Sequence, residues 1–497
     1  MTSRSAAIPV AVHDQAMRHL IRADRQEDVC FALWNPSNGR TRTTALLVEL
    51  ILPDSGDRVV HGNVEFTSQY FERSLGRALE SSQGLALLHS HPGPGWQDMS
   101  EDDLHAERIH AKAVNAATGL PLVGLTLGTD GSWSARFWEA RVGVVKQAWC
   151  ASTRVVGEFM DVTYHDGLLP PPRFRNVLRR TVSAWGPHVQ ATLSRLTIGL
   201  VGAGSVGSIV AEALARMGIR HLKLIDFDSV ESVNLDRLLH AYPEDALGIS
   251  AKVQVLARAL RRSATAESFV VEPLEMSVVE EDGFRTALDC DVLFSCVDRP
   301  WARSALNLIA YAHLIPVVDG GVLAEALPGE VGLRRADIRA HIAGPGRRCL
   351  ECLGQFDPGL VAVERDGLLE NPTYIAGLPA NHPLRRNENV FGFAAMCASL
   401  EIMQFLHMVL RPLDLNALPP SLYHFVFNEL DVDKPVCNNG CPYAALSGLG
   451  DRSPVSLVGH HVKASLARGE RASASRGVKG MWRRILGFIH RSRRVFS

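Results

Sequence analysis

The stretch LTIGLVGAGSVGSIVAEALARMG, Leu196 to Gly218, decides the fold of the larger part of this 497-residue chain. Its first half is an apolar run typical of a buried strand, and its second half has the apolar spacing of a helix. Between them, Gly202, Gly204 and Gly207 form a turn at which a phosphate can approach the amino terminus of the helix. The stretch predicts a nucleotide-binding strand–turn–helix unit, and by itself it fits an NAD-dependent dehydrogenase equally well.

Further strand-like segments follow this unit at regular intervals along the chain. They read HLKLIDFD, CDVLFSCVD and IPVVDGG, and helical patterns separate them. Strands that alternate with helices are typical of a parallel sheet covered by helices on its faces. The sequence therefore predicts an α/β fold for this part of the chain.

Polar residues that follow the predicted strands distinguish between the two nucleotide chemistries. Asp226 ends the second strand, where a ribose-binding carboxylate belongs, and Asn234, Arg237 and Lys252 come after it. Arginine and lysine neutralise a triphosphate, whereas a hydride-transfer site has no need of them at this point. Asp298 ends another strand and is well placed for Mg²⁺ held with the phosphates. The pattern favours ATP.

From about residue 173 to residue 443 this pattern resembles the ThiF/MoeB superfamily, the bacterial relatives of ubiquitin-activating enzymes. The resemblance implies that the carboxy-terminal glycine of a ubiquitin-like protein attacks ATP and releases pyrophosphate. The implied roles are ribose binding by Asp226, phosphate binding by Asn234, Arg237 and Lys252, and magnesium binding by Asp298. The family also uses an arginine from before the first strand, often across a homodimer. Arg179 and Arg180 are the candidates here, and Arg180 is preferred.

Two cysteine pairs predict a second metal site within the same region. RRCLEC contains Cys349 and Cys352, and PVCNNGC contains Cys437 and Cys441. Each pair can close a chelating turn, and four thiolates make a closed, tetrahedral zinc site of the structural type. Many ThiF/MoeB relatives carry such a zinc, although the second pair here has three intervening residues instead of two.

The segment 353–393, where related thioester-forming enzymes carry their nucleophile, contains no cysteine. Cys397 lies in an apolar helical run and Cys296 in a buried-looking strand, so both are expected in the core. We therefore expect the adenylate to pass directly to an outside acceptor. The cysteine of a conjugating enzyme and a sulfur carrier are the candidate acceptors.

A different constellation occupies LLHSHPGPGWQDMSEDDL, Leu87 to Leu104. His89 and His91 are two apart on a predicted strand and so share a face, and Asp103 follows on the first turn of a predicted helix. Two imidazoles and a carboxylate make a zinc site with one position left for water. The bland alternative is that Ser100 and Asp103 only form a helix capping box.

The whole string, His-x-His-Pro, seven residues and Ser-x-x-Asp, matches the motif of JAMM/MPN+ (JAB) zinc isopeptidases. The resemblance implies the two histidines and Asp103 as zinc ligands and Ser100 as the group that steadies the oxyanion. It implies Glu27 as general base, with Glu49 as the rival candidate. Enzymes of this family hydrolyse the peptide or isopeptide bond after the terminal Gly-Gly of a ubiquitin-like protein.

The expected architecture is α/β, with a JAB/MPN α+β domain followed by a Rossmann-like ThiF/MoeB adenylation domain that carries structural zinc. The expected bounds are 8–145 for the first domain, 146–172 for a linker ending in three prolines, 173–450 for the second domain and 451–497 for a basic tail. The tail is expected to be disordered. Its end offers an alternative, a membrane-surface amphipathic helix with Met481, Trp482, Ile485, Leu486 and Ile489 on one side.

Composition excludes several other classes of protein. A net charge of −1 gives no reason to expect nucleic acid, and nine cysteines in 497 residues do not suggest a disulfide scaffold. The amino terminus is a poor signal peptide, and no run of about 18 apolar residues predicts a membrane span. A cytoplasmic protein is expected.

Three functions fit these observations. The preferred one is a bifunctional enzyme of a prokaryotic ubiquitin-like conjugation pathway, a class sometimes associated with antiphage defence. It would process the modifier or remove it from conjugates, and it would adenylate the terminal glycine. The alternative is activation of a sulfur-carrier protein for thiamin, molybdopterin, cysteine or secondary-metabolite synthesis. The third, a non-catalytic scaffold, predicts lost ligands, whereas both constellations retain theirs.

Overall fold

The computed structural model describes residues 2–61, 63–141, 144–327, 332–378 and 388–474. The strands are β1 (Ser3–Pro9), β2 (Val29–Asn38), β3 (Arg42–Ile51), β4 (Arg58–His61), β5 (Asn63–Phe66), β6 (Gly84–Ser90), β7 (Leu122–Leu127), β8 (Trp133–Arg141), β9 (Val144–Trp149), β10 (Ser152–Val156), β11 (Met160–Tyr164), β12 (Thr197–Val201), β13 (His221–Ile225), β14 (Val270–Leu274), β15 (Val292–Ser295), β16 (Val317–Ala326), β17 (Leu333–Ala343), β18 (Ser421–His424) and β19 (Glu429–Val432). The helices are α1 (Val10–Leu20), α2 (Ser68–Glu80), α3 (Glu101–Thr118), α4 (Arg179–Trp185), α5 (Pro187–Arg195), α6 (Ser205–Arg216), α7 (Pro243–Leu247), α8 (Lys252–Ser263), α9 (Glu281–Ala287), α10 (Pro300–Ala312), α11 (Pro358–Arg365), α12 (Pro372–Gly377), α13 (Phe391–Leu410), α14 (Pro442–Ala445) and α15 (462–474).

The second half of the chain contains an eight-stranded sheet in the order β14-β13-β12-β15-β16-β17-β18-β19. Its first five strands are parallel, which confirms the predicted α/β fold of this region. Val201 at the end of β12 lies opposite Ile225 on one side and Ser295 on the other, so these strands end together. From β12 the chain continues to β13 and β14 on one side of the strand, and it then returns to β15 on the other side. This point in a doubly wound sheet is where nucleotides bind.

Apolar side chains on both faces of this sheet explain its two helical layers. Leu214 of α6 and Phe405 of α13 are buried in a cluster with Leu200 of β12, while Ile309 of α10 packs on the other face with Leu293 of β15. Among the described helices, α13 alone is long and apolar enough by length and composition to cross a membrane. Its packing against α6, β16 and β17 accounts for that composition.

The first half contains a nine-stranded mixed sheet in the order β11-β10-β1-β3-β2-β6-β7-β8-β9. Helix α1 packs on one face, and α2 and α3 pack on the other. The segment 146–172 differs from the expected linker, because it supplies most of β9 and all of β10 and β11. Arg154 of β10 is fully buried as an ion-pair partner, so the strand lacks the apolar pattern that identifies a strand in a sequence.

Polar contacts join the two sheets. Asp291 lies immediately before β15, and its carboxylate accepts a hydrogen bond from Nη1 of Arg42 at 2.6 Å and also pairs with Arg154. The Ser37 hydroxyl is 2.8 Å from Nδ1 of His313, and the Asn35 amide donates to the carbonyl of Gly448 at 3.0 Å.

The start of the basic tail differs from the expected disorder. Leu457 and Ala464 are buried, and Nε1 of Trp301 donates to the carbonyl of Leu457 at 2.8 Å. The described part of the tail therefore packs on the second half of the chain, and its first residues, Asp451 and Arg452, also contact Asn38 and Asn35 of the first half. The proposed amphipathic stretch from residue 481 to residue 489 lies outside the described residues.

Candidate active sites

His89, His91 and Asp103 come together at the end of β6 and the start of α3. Nε2 of His89 is 3.3 Å from Nε2 of His91 and 3.3 Å from Oδ1 of Asp103. Nε2 of His91 is 3.2 Å from Oδ2 of Asp103. Burial by itself would raise the pKa of Asp103, but hydrogen bonds with the two imidazoles lower it far below its usual range. The carboxylate is therefore held in its ionised form.

The spacing of these atoms fits a tetrahedral cation. Ligands about 2.0–2.1 Å from a zinc ion at the tetrahedral angle lie about 3.3–3.4 Å from one another. The two imidazole nitrogens, 3.3 Å apart, agree with that spacing, and each lies 3.2–3.3 Å from a different carboxylate oxygen of Asp103. One ligand atom from each of the three residues lies within 4.8 Å of the others. One ligand atom from each residue would leave the fourth position open, as in catalytic zinc sites.

Glu27 lies beside this cluster, whereas Glu49 does not take part in it. Oε1 of Glu27 is 4.0 Å from Nε2 of His91. Burial raises the pKa of Glu27 above its ordinary value, although the nearby histidines oppose the shift. Glu49 is half exposed on β3, where its carboxylate pairs with Arg77 at 2.6 Å. Of the two candidate glutamates, Glu27 is the one that lies beside the cluster.

Ser100 and Asp103 form the capping box that the bland interpretation predicted. The backbone N–H of Asp103 donates to Oγ of Ser100 at 3.1 Å, and the N–H of Ser100 donates to Oδ2 of Asp103 at 2.8 Å. The same carboxylate faces both histidines. Capping and metal binding are therefore compatible, because the cap holds the carboxylate of Asp103 toward the cluster.

Ser90, the last residue of β6, is bonded to the end of α1 and to the residue before β2. It points away from the histidines, and its Oγ accepts the N–H of Asp28 at 3.1 Å and donates to the carbonyl of Leu20 at 2.8 Å. These bonds fix the chain beside Glu27 against the end of β6. The position of Ser90 between His89 and His91 predicts this role, because successive side chains along a strand point to opposite faces of the sheet.

The glycine turn after β12 has the form that a phosphate loop requires. Gly202 has a φ of 94°, and a Cβ on it would overlap the carbonyl oxygen of Cys296. A Cβ on Gly207 would overlap the carbonyl of Gly202, so α6 lies directly on the turn. A Cβ on Gly204 would meet only open space. The turn therefore leaves room at the amino terminus of α6.

Asp226 and Lys252 lie beside this turn and are joined through Asp228. The carboxylate of Asp226 accepts the N–H of Ala203 at 2.7 Å and the N–H of Asp228 at 2.7 Å. Nζ of Lys252 is 3.0 Å from Oδ2 of Asp228. Burial would lower the pKa of Lys252, but the carboxylates of Asp226 and Asp228 raise it instead. Lys252 is therefore a held cation next to the glycine turn.

Of the other nucleotide-binding candidates, Asp298 lies near this centre, whereas the contacts of Asn234 and Arg237 described below are local to their own turn. Asp298 follows β15, is exposed, and is among the charges that raise the pKa of Lys252. Asn234 closes a short turn by accepting the N–H of Glu231 at 3.1 Å, and Nη1 of Arg237 donates to the carbonyl of Val233 at 2.6 Å.

The candidate arginines Arg179 and Arg180 are exposed at the start of α4. Asn389, which no sequence motif indicated, donates its amide N–H to Oγ of Ser205 at 2.9 Å beside the glycine turn.

Cys349, Cys352, Cys437 and Cys441 form the other cluster, with one sulfur from each lying within 4.8 Å of the others. Sγ of Cys349 is 3.6 Å from Sγ of Cys441, and the N–H of Cys349 donates to Sγ of Cys437 at 3.1 Å. Hydrogen bonding from Cys349 lowers the pKa of Cys437 to about 5. The donor set fits a closed structural zinc.

Cys296 and Cys397 lie elsewhere, against the buried carboxyl group of Glu401. Their sulfurs are 3.5 and 3.6 Å from its two oxygens. Burial raises the pKa of both cysteines well above the ordinary value. Both groups are thus held as neutral thiols, which are poor nucleophiles.

Comparison with known proteins matches the ThiF family model to residues 178–440, slightly more than half of the chain. The chain is similar to ubiquitin-like modifier-activating enzyme 5 of Drosophila willistoni, at 30% identity over 160 residues, which cover 30% of this chain and 39% of that protein. The Arabidopsis thaliana protein of the same name is 31% identical over 160 residues, covering 28% and 35%. The chain thus spans about two fifths of the length of these curated relatives.

Among solved structures, the chain matches the E. coli MccB complex with MccA-N7isoASN, at 17% identity and a TM-score of 0.42, covering 54% of this chain and 75% of that one. E. coli tRNA N6-threonylcarbamoyladenosine dehydratase, TcdA, has 19% identity and a TM-score of 0.33, with 50% and 98% covered.

Proposed function

The chain belongs to the ThiF family, and we propose that it uses ATP to adenylate the carboxy-terminal glycine of a ubiquitin-like or sulfur-carrier protein. The observation that carries the proposal is the meeting of the glycine turn with Asp226, Lys252 and Asp298 where β12, β13 and β15 end. Lys252 can neutralise the charge of a triphosphate and Asp298 can hold its Mg²⁺, whereas a nicotinamide ring needs neither group.

In this reaction a carboxylate oxygen of the glycine attacks the α-phosphorus of ATP. The bond from that phosphorus to the oxygen shared with the β-phosphate breaks, and pyrophosphate leaves with the electron pair. Asp226 holds the ribose, while Lys252, Arg237 and Asn234 bind phosphate oxygens. Asp298 would hold Mg²⁺, which neutralises charge on the phosphates when it is bound.

The acyl group then passes to an acceptor outside this chain. Segment 353–393 contains no cysteine, and Cys296 and Cys397 are buried as neutral thiols. The cysteine of a conjugating enzyme would complete modifier conjugation, whereas a sulfur donor would complete carrier thiocarboxylation. A homodimer with Arg180 reaching the neighbouring nucleotide site and a cytoplasmic location are further parts of the proposal.

Exchange of labelled pyrophosphate into ATP tests the adenylation. The probes are ubiquitin-fold proteins that end in Gly-Gly and matched versions that lack the last glycine. The wild-type chain should catalyse exchange with at least one intact protein and with none of the truncated ones. Asp298→Ala should abolish exchange, and His89→Ala should leave it unchanged. Exchange that survives Asp298→Ala would contradict the proposed magnesium site.

We further propose that the first half is a JAB/MPN zinc peptidase that cleaves after the terminal glycine of the same class of protein. The convergence of one ligand atom each from His89, His91 and Asp103 within 4.8 Å, and the adjacent Glu27, support it. A zinc ion lowers the pKa of its bound water to about 7. Glu27 takes a proton from the attacking water and gives it to the leaving amine, and the Ser100 group steadies the oxyanion. Cleavage of a precursor would expose the glycine that is adenylated, and cleavage of a conjugate would release the modifier after its attachment.

Two glutamates provide a matched test of this activity. Glu27→Gln should abolish cleavage of a ubiquitin-fold protein fused through Gly-Gly to a reporter amine, because the proton carrier is lost. Glu49→Gln should leave cleavage unchanged, since Glu49 pairs with Arg77 away from the cluster. Zinc content should equal that of the wild type in both variants. Cleavage lost in Glu49→Gln and kept in Glu27→Gln would reverse the assignment.

A further inference from the structure

Helix α15, which lies beyond the ThiF match at residues 178–440, is held against the nucleotide site. Nη1 of Arg471 donates to the carbonyl of Phe227 at 2.7 Å and to Oγ of Ser229 at 2.9 Å. Its Nε pairs with Glu275 at 3.0 Å. These partners follow β13 and β14 directly, so the helix crosses the sheet edge next to Asp226.

This docking brings a second lysine to the carboxylate that holds Lys252. Nζ of Lys463 is 3.4 Å from Oδ1 of Asp228, and Nζ of Lys252 is 3.0 Å from Oδ2. Both ammonium groups lower the pKa of Asp228 against the effect of its burial. Lys463 is about one-third exposed, and its Nζ lies 5.6 Å from the centre of the Phe227 ring.

We propose that Lys463 is a phosphate-binding residue of the nucleotide site, supplied by α15 and held beside Lys252 by Asp228. The inference rests on the proposed adenylation. Each ammonium group has three N–H donors, and one shared carboxylate cannot satisfy all of them. Phosphate oxygens of Mg-ATP accept from both groups, while Asp228 keeps the two lysines in place without nucleotide.

Equilibrium dialysis with labelled Mg-ATP and labelled adenosine tests this assignment. Lys463→Met should weaken ATP binding about tenfold or more, the scale of a lost charged hydrogen bond, and change adenosine binding less than about twofold. Lys463→Arg should retain most of the ATP affinity. Arg468→Ala is the matched control, because Arg468 on the same helix pairs with Glu280 at 2.6 Å, and it should leave the ratio of the two affinities unchanged.

The outcomes separate the inference from the proposal beneath it. Equal loss of ATP and adenosine binding in Lys463→Met, or no loss at all, would overturn the phosphate contact. The same change in ratio in Arg468→Ala would assign the effect to docking of the helix and would also overturn it. A wild-type chain that does not bind Mg-ATP would overturn the adenylation proposal itself.

Discussion

Replacing Asp291 with alanine should destabilise the junction between the two sheets more than any exposed substitution. Its carboxylate accepts from Arg42 at 2.6 Å, pairs with Arg154, and accepts the N–H of Thr197 at 2.9 Å. The side chain of Arg154 has no exposed surface, and that of Arg42 is 8% exposed. Removing the carboxylate of Asp291 leaves the buried guanidinium groups of Arg42 and Arg154 without their shared counter-charge. Breaking a buried pair in this way costs about 3–5 kcal/mol.

Differential scanning calorimetry measures the effect. At about 2–4 °C per kcal/mol for a domain of this size, the Tm of the transition should fall by about 6–20 °C. Asp166→Ala is the control, because Asp166 is 68% exposed in its pair with Arg195, and it should leave the Tm unchanged. Low pH should act in the same direction as Asp291→Ala. The two guanidinium groups lower the pKa of Asp291 against burial, so the stability it contributes is lost as pH falls through that lowered pKa.

A Tm for Asp291→Ala within about 2 °C of the wild type would refute the assumption that the charged groups at the junction are shielded from water. Water would then have to reach both arginines in the variant. Replacing Asp291, Arg42 and Arg154 together by apolar residues should recover much of the loss, since no buried charge would remain unpaired.

Three further predictions concern the two sites and the junction. Elemental analysis should find two zinc ions in the wild-type chain and one in each of the variants His89→Ala and Cys437→Ser. Loss of both ions from either variant would contradict two independent zinc sites. Gly202→Ala should lower both Tm and ATP affinity, because its φ of 94° and the nearby carbonyl exclude a side chain, whereas Gly204→Ala should lower only ATP affinity. Burial lowers the pKa of His313 to about 4. Between about pH 6.5 and 4, His313 is therefore protonated in the unfolded chain but not in the folded chain. The free energy of unfolding should decrease as the pH is lowered across that range, and it should decrease less in His313→Gln.

The nucleotide-binding half could be predicted closely from the sequence because its elements are long and periodic. The strand before Gly202 and the helix after it occupy the expected positions, as β12 and α6. The three predicted ligands of the first half also converge, since strand alternation and a helix start fix their directions. Local rules were sufficient where each residue's role depends on near neighbours.

The strands after residue 144 could not be predicted by the same rules. Arg154 is buried because Asp291, far along the chain, neutralises it, and no local pattern contains that information. The docking of α15 was hidden for a similar reason. Two of its ion pairs, Arg468 with Glu280 and Arg471 with Glu275, join it to distant parts of the chain, so a composition that looks disordered folds against distant carboxylates.

Ser100 illustrates why one motif supported two interpretations that were treated as rivals. A capping box requires a hydroxyl at the helix start and a carboxylate three residues later, and the zinc site uses the same two positions. The structure satisfies both, because Oδ2 of Asp103 accepts the N–H of Ser100 at 2.8 Å and also lies 3.2 Å from His91. The cap fixes a rotamer that would otherwise cost entropy on metal binding. The observed cap is thus compatible with the proposed metal binding and carries no weight against it.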